Sequence, residues 1–156
     1  MGLFSTLFGK PVLQDEVFGR IAWDSVVRMA PSIWYSTALR PFAPAGSELF
    51  CSITADRDGP TDAQRAFFQH LESTYPALVN KLIPVIEEAF QVWRAGFTIS
   101  DFAAEFKPVE ITIPLITNQP VHWAWSFETI HESDHLLAIH MSDDTPLPDI
   151  QFVESA

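Results

Sequence analysis

An α+β fold is what this sequence predicts, and three observations predict it. Segments with alternating apolar residues stand at both ends of the chain, and between them runs a long stretch whose apolar residues recur at helical spacing. Apolar residues make up 47% of the 156, with 5 Trp and 13 Phe, enough to fill one core and far more than a disordered chain carries. The expected architecture is a mainly antiparallel sheet formed by the N- and C-terminal arms, with a central kinked helical segment packed on one face, all in a single domain over residues 1–156.

Residues 1–12 are expected to be a flexible end or a docking turn built on Leu3, Phe4, Leu7 and Phe8. This run is too short for a secretory core and its charge follows rather than precedes it, although Gly2 with Thr6 matches the loose myristoylation pattern. Val17 to Trp23 and Ile33 to Leu39 have strand character, and Ser47 to Ala55 places Leu49, Cys51, Ile53 and Ala55 on one face. Arg40 to Gly46 is a loop by its prolines and glycine. Asp58-Gly59-Pro60 stops the third strand, and Thr61 with Gln64 has the spacing of a helix capping box. Phe67, Phe68, Leu71 and Tyr75 give the first helical stripe. A second segment is expected to start at Pro76 and to run through Leu78, Leu82, Ile86, Phe90 and Trp93, with a bend near Pro84. Gly96 ends it. Val109, Ile111, Ile113 and Leu115 then alternate as a strand that Pro114 assigns to an edge or a bulge.

The C-terminal part reads as a hairpin. Val121, Trp123, Trp125 and Phe127 form one row, and Leu137, Ile139 and Met141 form the other. Pairing Trp125 with Met141 and Phe127 with Ile139 keeps both rows on one face and sets Ser126 opposite His140, with a polar turn between the strands; a one-residue slip would mix the rows. His122 and His140 then lie on the face opposite the tryptophans. Ile150 to Val153 adds a short last strand.

Charge is distributed unevenly along this frame. No Lys or Arg follows Lys107, so the last 49 residues hold eight carboxylates, four of the five His and no permanent cation, while the first 107 hold twelve acids against nine bases. Most of the net charge of -11 therefore sits in the C-terminal third, where it repels polyanions and attracts basic partners. The nine Lys and Arg are dispersed, which excludes a nucleic-acid interface. No stretch reaches the length and apolarity of a transmembrane helix. With one Cys no intramolecular disulfide is possible, and the cytoplasm is the expected compartment.

Few patterns carry chemistry. His131-Glu132-Ser133-Asp134-His135 fits the H-E-x-x-H signature, in which two His on one helical face ligate zinc and the Glu acts as base. Read as a helix, this segment has a poor apolar stripe, and the next carboxylate able to complete the site is Glu154. The strand reading accounts for every apolar residue around it, so His131 to His135 is expected in the hairpin loop. Cys51 lies on an apolar strand row and is assigned to the core rather than to nucleophilic chemistry. Glycine-rich phosphate loops, dinucleotide fingerprints and a nucleophile elbow are absent, so no cofactor and no catalytic residue is assigned. The carboxylates and imidazole best placed for binding are Glu128, Glu132, Asp134, His140, Asp143 and Asp144, with Asp143 and Asp144 expected as freely solvated turn residues.

Asp15-Glu16-Val17 with Phe18-Gly19-Arg20-Ile21-Ala22-Trp23, followed by Asp58 to Gln64 and by Ser133-Asp134-His135 before a strand, resembles a set of small uncharacterised bacterial proteins whose first strand opens Phe-Gly-x-x-x-Trp. The resemblance implies a helix between two strand-rich arms. Some of those proteins look like immunity proteins of polymorphic toxin systems, and none brings catalytic residues to carry over. The resulting expectation is a cytoplasmic, non-enzymatic binding or inhibitor module whose acidic C-terminal surface meets a basic protein. The alternatives are a housekeeping domain whose acidity serves solubility and a zinc-dependent hydrolase using His131, Glu132 and His135.

Overall fold

In a computed structural model, residues 11–24, 33–36 and 38–155 are described. The acylation pattern at Gly2 and Thr6 and the docking turn expected from Leu3 to Phe8 lie outside the described residues. The N-terminal arm comprises Val12–Asp15 (β1), Gly19–Asp24 (β2), Ile33–Ser36 (β3), Arg40–Phe42 (β4), a short 3-10 turn at Ala43–Ala45 and Ser47–Thr54 (β5). Asp62–Gln91 is a single long helix (α1), and Phe102–Glu105 a short one (α2). The C-terminal arm supplies Phe106–Ile113 (β6), His122–Thr129 (β7), Glu132–Ser142 (β8), Thr145–Pro146 (β9) and Gln151–Glu154 (β10).

All the strands join one mixed sheet in the order β1-β2-β3-β5-β6-β7-β8-β10, with β4 also on β5 and β9 also on β8. Among the described residues every pairing is antiparallel except β5 with β6, where Phe50 to Ile53 run alongside Glu110 to Ile113. Parallel neighbours need a long crossover, and α1 is that crossover. Its apolar stripe of Phe68, Leu71, Tyr75, Leu78, Leu82, Ile86 and Phe90 shares one core with Cys51, Ile53, Ile111, Ile113, Trp123, Trp125, Phe127, Leu137 and Ile139. Tyr75 meets Trp125 edge-on, with ring centroids 5.7 Å apart, and Phe67 meets Trp123 in the same way at 5.3 Å. Cys51 is fully buried in this layer, and burial pushes its thiol up to about 12, which removes the thiolate a nucleophile needs.

The helix start follows the sequence closely. Thr61 Oγ1 accepts from the Gln64 amide at 3.2 Å, and Gln64 Oε1 accepts from the Thr61 amide at 2.9 Å. The capping box goes further than its spacing shows. The Gln64 side chain is fully buried, and its Nε2 donates to the carbonyls of Thr54, at the end of β5, and of Pro114, just past β6, both at 2.8 Å. One side-chain amide thus fastens the start of α1 to the ends of the two parallel strands.

The helical stretch expected from about Thr61 to Trp93 is one helix: α1 continues through Pro76 and Pro84, both at exposed positions, where water can take the carbonyls whose helical donors the prolines remove. Two expectations change. β6 lies inside the sheet rather than at its edge. Pro114 follows its last residue and costs the ladder nothing, while the irregularity falls between Pro108 and Glu110. In the C-terminal hairpin the apolar rows share a face as expected, but the register is two residues from the expected one. Trp123 pairs with Met141, Trp125 with Ile139, Phe127 with Leu137 and Ala124 with His140. A two-residue shift keeps every side chain on its face, so alternation alone does not separate the registers; the turn does. Thr129 pairs with Glu132, leaving only Ile130 and His131 to turn.

Gln64→Leu keeps the bulk of the side chain but orphans the Thr54 and Pro114 carbonyls and removes half of the capping box. Chemical denaturation should show a loss of about 2–4 kcal/mol with an unchanged m-value. A loss below about 0.5 kcal/mol would mean that the two strand ends are held by something else.

Candidate functional site

The sequence-assigned binding residues lie on the β7–β8 hairpin and in the turn that follows it, and the fold separates all but His140 into two ends. At the turn end, Ile130 and His131 dock onto α2. The Ile130 amide donates to the Glu105 carbonyl at 3.2 Å, and the His131 amide donates to Thr129 Oγ1, also at 3.2 Å. His131 Nε2 lies 2.7 Å from Glu105 Oε2, and Nδ1 lies 3.2 Å from Arg94 Nη1. A guanidinium can only donate, so Nδ1 accepts and the ring proton sits on Nε2, facing Glu105. The imidazole is packed against Phe90, Phe97 and Phe106. Glu105 is buried, and Oε1 also accepts from the amides of Asp101 at 2.6 Å and Ser100 at 2.7 Å. The Asp101 amide, followed by His131, holds its carboxyl below the usual carboxylate range.

His131 therefore locks the hairpin turn, with both ring nitrogens engaged. His135 is not beside it on a helix: Glu132 to His135 belong to β8, and His135 Nδ1 turns back to Glu132 Oε1 at 3.2 Å. Among the described residues no group of three His, Cys, Asp or Glu side chains is arranged to hold a metal ion.

Beyond the turn, the register shift lets Ser133 to Leu136 oppose Glu128 alone, so β8 bulges away from β7. Glu128, Glu132, Ser133, His135 and Ser155 line a hollow of about 240 Å³ beneath that bulge. Glu154 on β10 pairs in register with His135. Of the carboxylates assigned from the sequence, Glu128 and Glu132 line this hollow, and Asp134 is exposed beside it in β8. Glu132 accepts from the Asp134 amide at 3.0 Å, and this bond, followed by His135, lowers its carboxyl. Glu128 faces Lys107 across the β6–β7 pair at 3.6 Å, with both side chains well exposed, a separation and setting that neutralise little.

At the opposite end Asp143 and Asp144 are exposed turn residues as expected, but both carboxylates are engaged. They form the tight turn between Ser142 and Thr145, and Asp143 has a φ of 50°, in the left-handed region that Asp tolerates better than most residues. Its Oδ1 accepts from the Val121 amide at 2.8 Å, its own amide donates to the Val121 carbonyl at 2.8 Å, and its carbonyl accepts from Trp123 Nε1 at 2.7 Å. Asp144 pairs with Lys81 of α1 at 2.5 Å, which lowers its carboxyl. Phe67, His70, Leu71, Val121, Trp123 and these two carboxylates surround a groove of about 310 Å³. His140 belongs to neither end; it is exposed in mid-strand opposite Ala124, on the face away from α1.

Sequence reasoning missed Glu105, Arg94 and the groove. Ser100-Asp101 before Phe102-Ala-Ala-Glu105 carries a helix N-cap signal that points to α2, and Asp101 does accept from the Ala104 amide at 3.3 Å. Nothing local announces the groove, whose walls come from three separate segments. No known family, curated protein or solved structure matches the chain.

Because the Glu105 carboxyl is depressed in the folded state, its contribution to stability is present above its ordinary value of 4.5 and is lost as pH falls through the lower folded value. The difference in thermal midpoint between the native protein and Glu105→Gln should therefore be constant at neutral pH and shrink on acidification below that range. A difference that grows as pH falls would contradict the assignment.

Proposed function

We propose that this protein is a non-enzymatic binding or inhibitor module of the cytoplasm, whose acidic C-terminal surface captures a basic protein. One observation carries the reading: the β8 bulge sets Glu128 and Glu132 on one hollow, with the exposed Asp134 and Glu154 next to lining residues in sequence or in strand register, and Lys107 is the one nearby lysine or arginine paired with any of the four among the described residues. A rigid, uncompensated patch of this kind steers a positively charged partner and rejects polyanions. The hairpin turn below it is tied to α2 by Glu105 and His131, so the carboxylates stand on an ordered platform and lose little freedom on binding. The resemblance of the Phe18 to Trp23 strand to immunity-like bacterial proteins supports the same class. Among the described residues no helix is long and apolar enough to cross a membrane.

The test is a pull-down from the native cell followed by association kinetics with the captured protein. Glu132→Gln combined with Asp134→Asn should leave the thermal midpoint nearly unchanged, slow association by about threefold to tenfold at low salt and flatten its salt dependence. Equal association rates for native and variant protein at low salt would reduce the acidity to a solubility device.

A further inference from the structure

The groove at the Asp143–Asp144 end differs in kind from the acidic hollow at the turn end. Its floor is apolar, with Leu71, Leu78, Val121 and Trp123 all buried, and Phe67 closes one side edge-on to Trp123. Its rim is acidic and held in place: Asp143 is fixed by the Val121 amide, and its carbonyl by the Trp123 indole. An apolar slot ending in one fixed and one exposed carboxylate suits a side chain with an aliphatic stem and a cationic head. Two carboxylates on the rim disfavour an anion, and a purely apolar group would leave Asp143 without a cationic partner and Asp144 with Lys81 alone.

We propose that this groove seats an arginine side chain of the basic partner, an inference that rests on the binding function proposed above. Arginine fits better than lysine because the guanidinium is planar and weakly hydrated, stacks on aromatic rings and can bridge two carboxylates. The Lys81–Asp144 pair occupies part of the rim, but the two side chains are 44% and 63% exposed, so the lysine can give way to an incoming guanidinium. Lys81 thus acts as a weak internal competitor, and its removal should improve binding.

The groove can be probed without the partner. n-Butylguanidinium, titrated against the full chain and followed by NMR at the Trp123 indole and Val121 amide, should shift both signals saturably, and n-butanol should bind at least about fivefold more weakly. Lys81→Ala should tighten the probe by about twofold to fivefold, and Asp143→Asn with Asp144→Asn should weaken it by a similar factor. Asparagine at 143 keeps both the acceptor for Val121 and the tolerance of positive φ, and the thermal midpoint of each variant verifies the fold. In the pull-down, saturating n-butylguanidinium should release the partner. Absence of saturable binding, equal binding of butanol, or weakening in Lys81→Ala overturns the proposal, as does a partner whose capture the probe leaves untouched. Capture indifferent to salt and to Glu132 and Asp134 would instead overturn the reading of function, with the probe result standing by itself.

Discussion

The parallel pairing of β5 with β6 is the constraint on which the rest of the structure depends. The N-terminal arm and the C-terminal arm would each be an antiparallel meander with an open edge. Lying side by side in the same direction, β5 and β6 join the two into one sheet, and they oblige the chain to cross over between them. α1 makes that crossing and covers one face. Gln64 holds the arrangement at its tightest point, because its amide reaches both strand ends while its carbonyl closes the helix cap. A buried amide with these partners stabilises one register of helix against sheet, since a shift in either would strand a carbonyl in the core.

From that frame follows the placement of both acidic ends. The hairpin β7–β8 is laid against β6, so its turn meets α2 and the loop after α1, and its other end meets the middle of α1. Each end uses part of its charge for folding. His131 and Glu105 fasten the turn, Asp143 fixes the start of β7, and Asp144 reaches Lys81. What is left over differs at the two ends: a cluster of carboxylates around a small polar hollow at one, and an aromatic groove with an acidic rim at the other. Under the proposed binding function the first serves encounter with a basic partner and the second retention.

Much of this was legible in the residues themselves. Thr61 and Gln64 announced the start of α1, the alternation around Trp123, Trp125 and Phe127 announced the hairpin and its buried face, and the apolar rows on either side of His131 to His135 argued against a helical H-E-x-x-H pair, although they left that segment in a loop where Glu132 to His135 belong to β8. These signals are local. The parallel pairing was not legible, because Phe50 and Glu110 are brought together only by the crossover, and strand sequence does not state its partner. The hairpin register was lost for a subtler reason: registers two residues apart bury the same faces, and Thr129 bonding the His131 amide, a turn detail, selects between them. The role of Asp143 was hidden in the same way. Its neighbour Asp144 and the polar residues around it mark a turn, but only the fold shows that its carboxylate answers the Val121 amide.

The most direct test of the account is the sense of pairing between β5 and β6. Nuclear Overhauser contacts across residues 50–53 and 110–113 should advance in step, from Phe50 with Glu110 to Ile53 with Ile113, and the Gln64 side-chain amide should show contacts to both Thr54 and Pro114. Contacts that run in the opposite sense, or none between the two strands, would contradict the crossover and with it the common platform on which the two acidic ends stand.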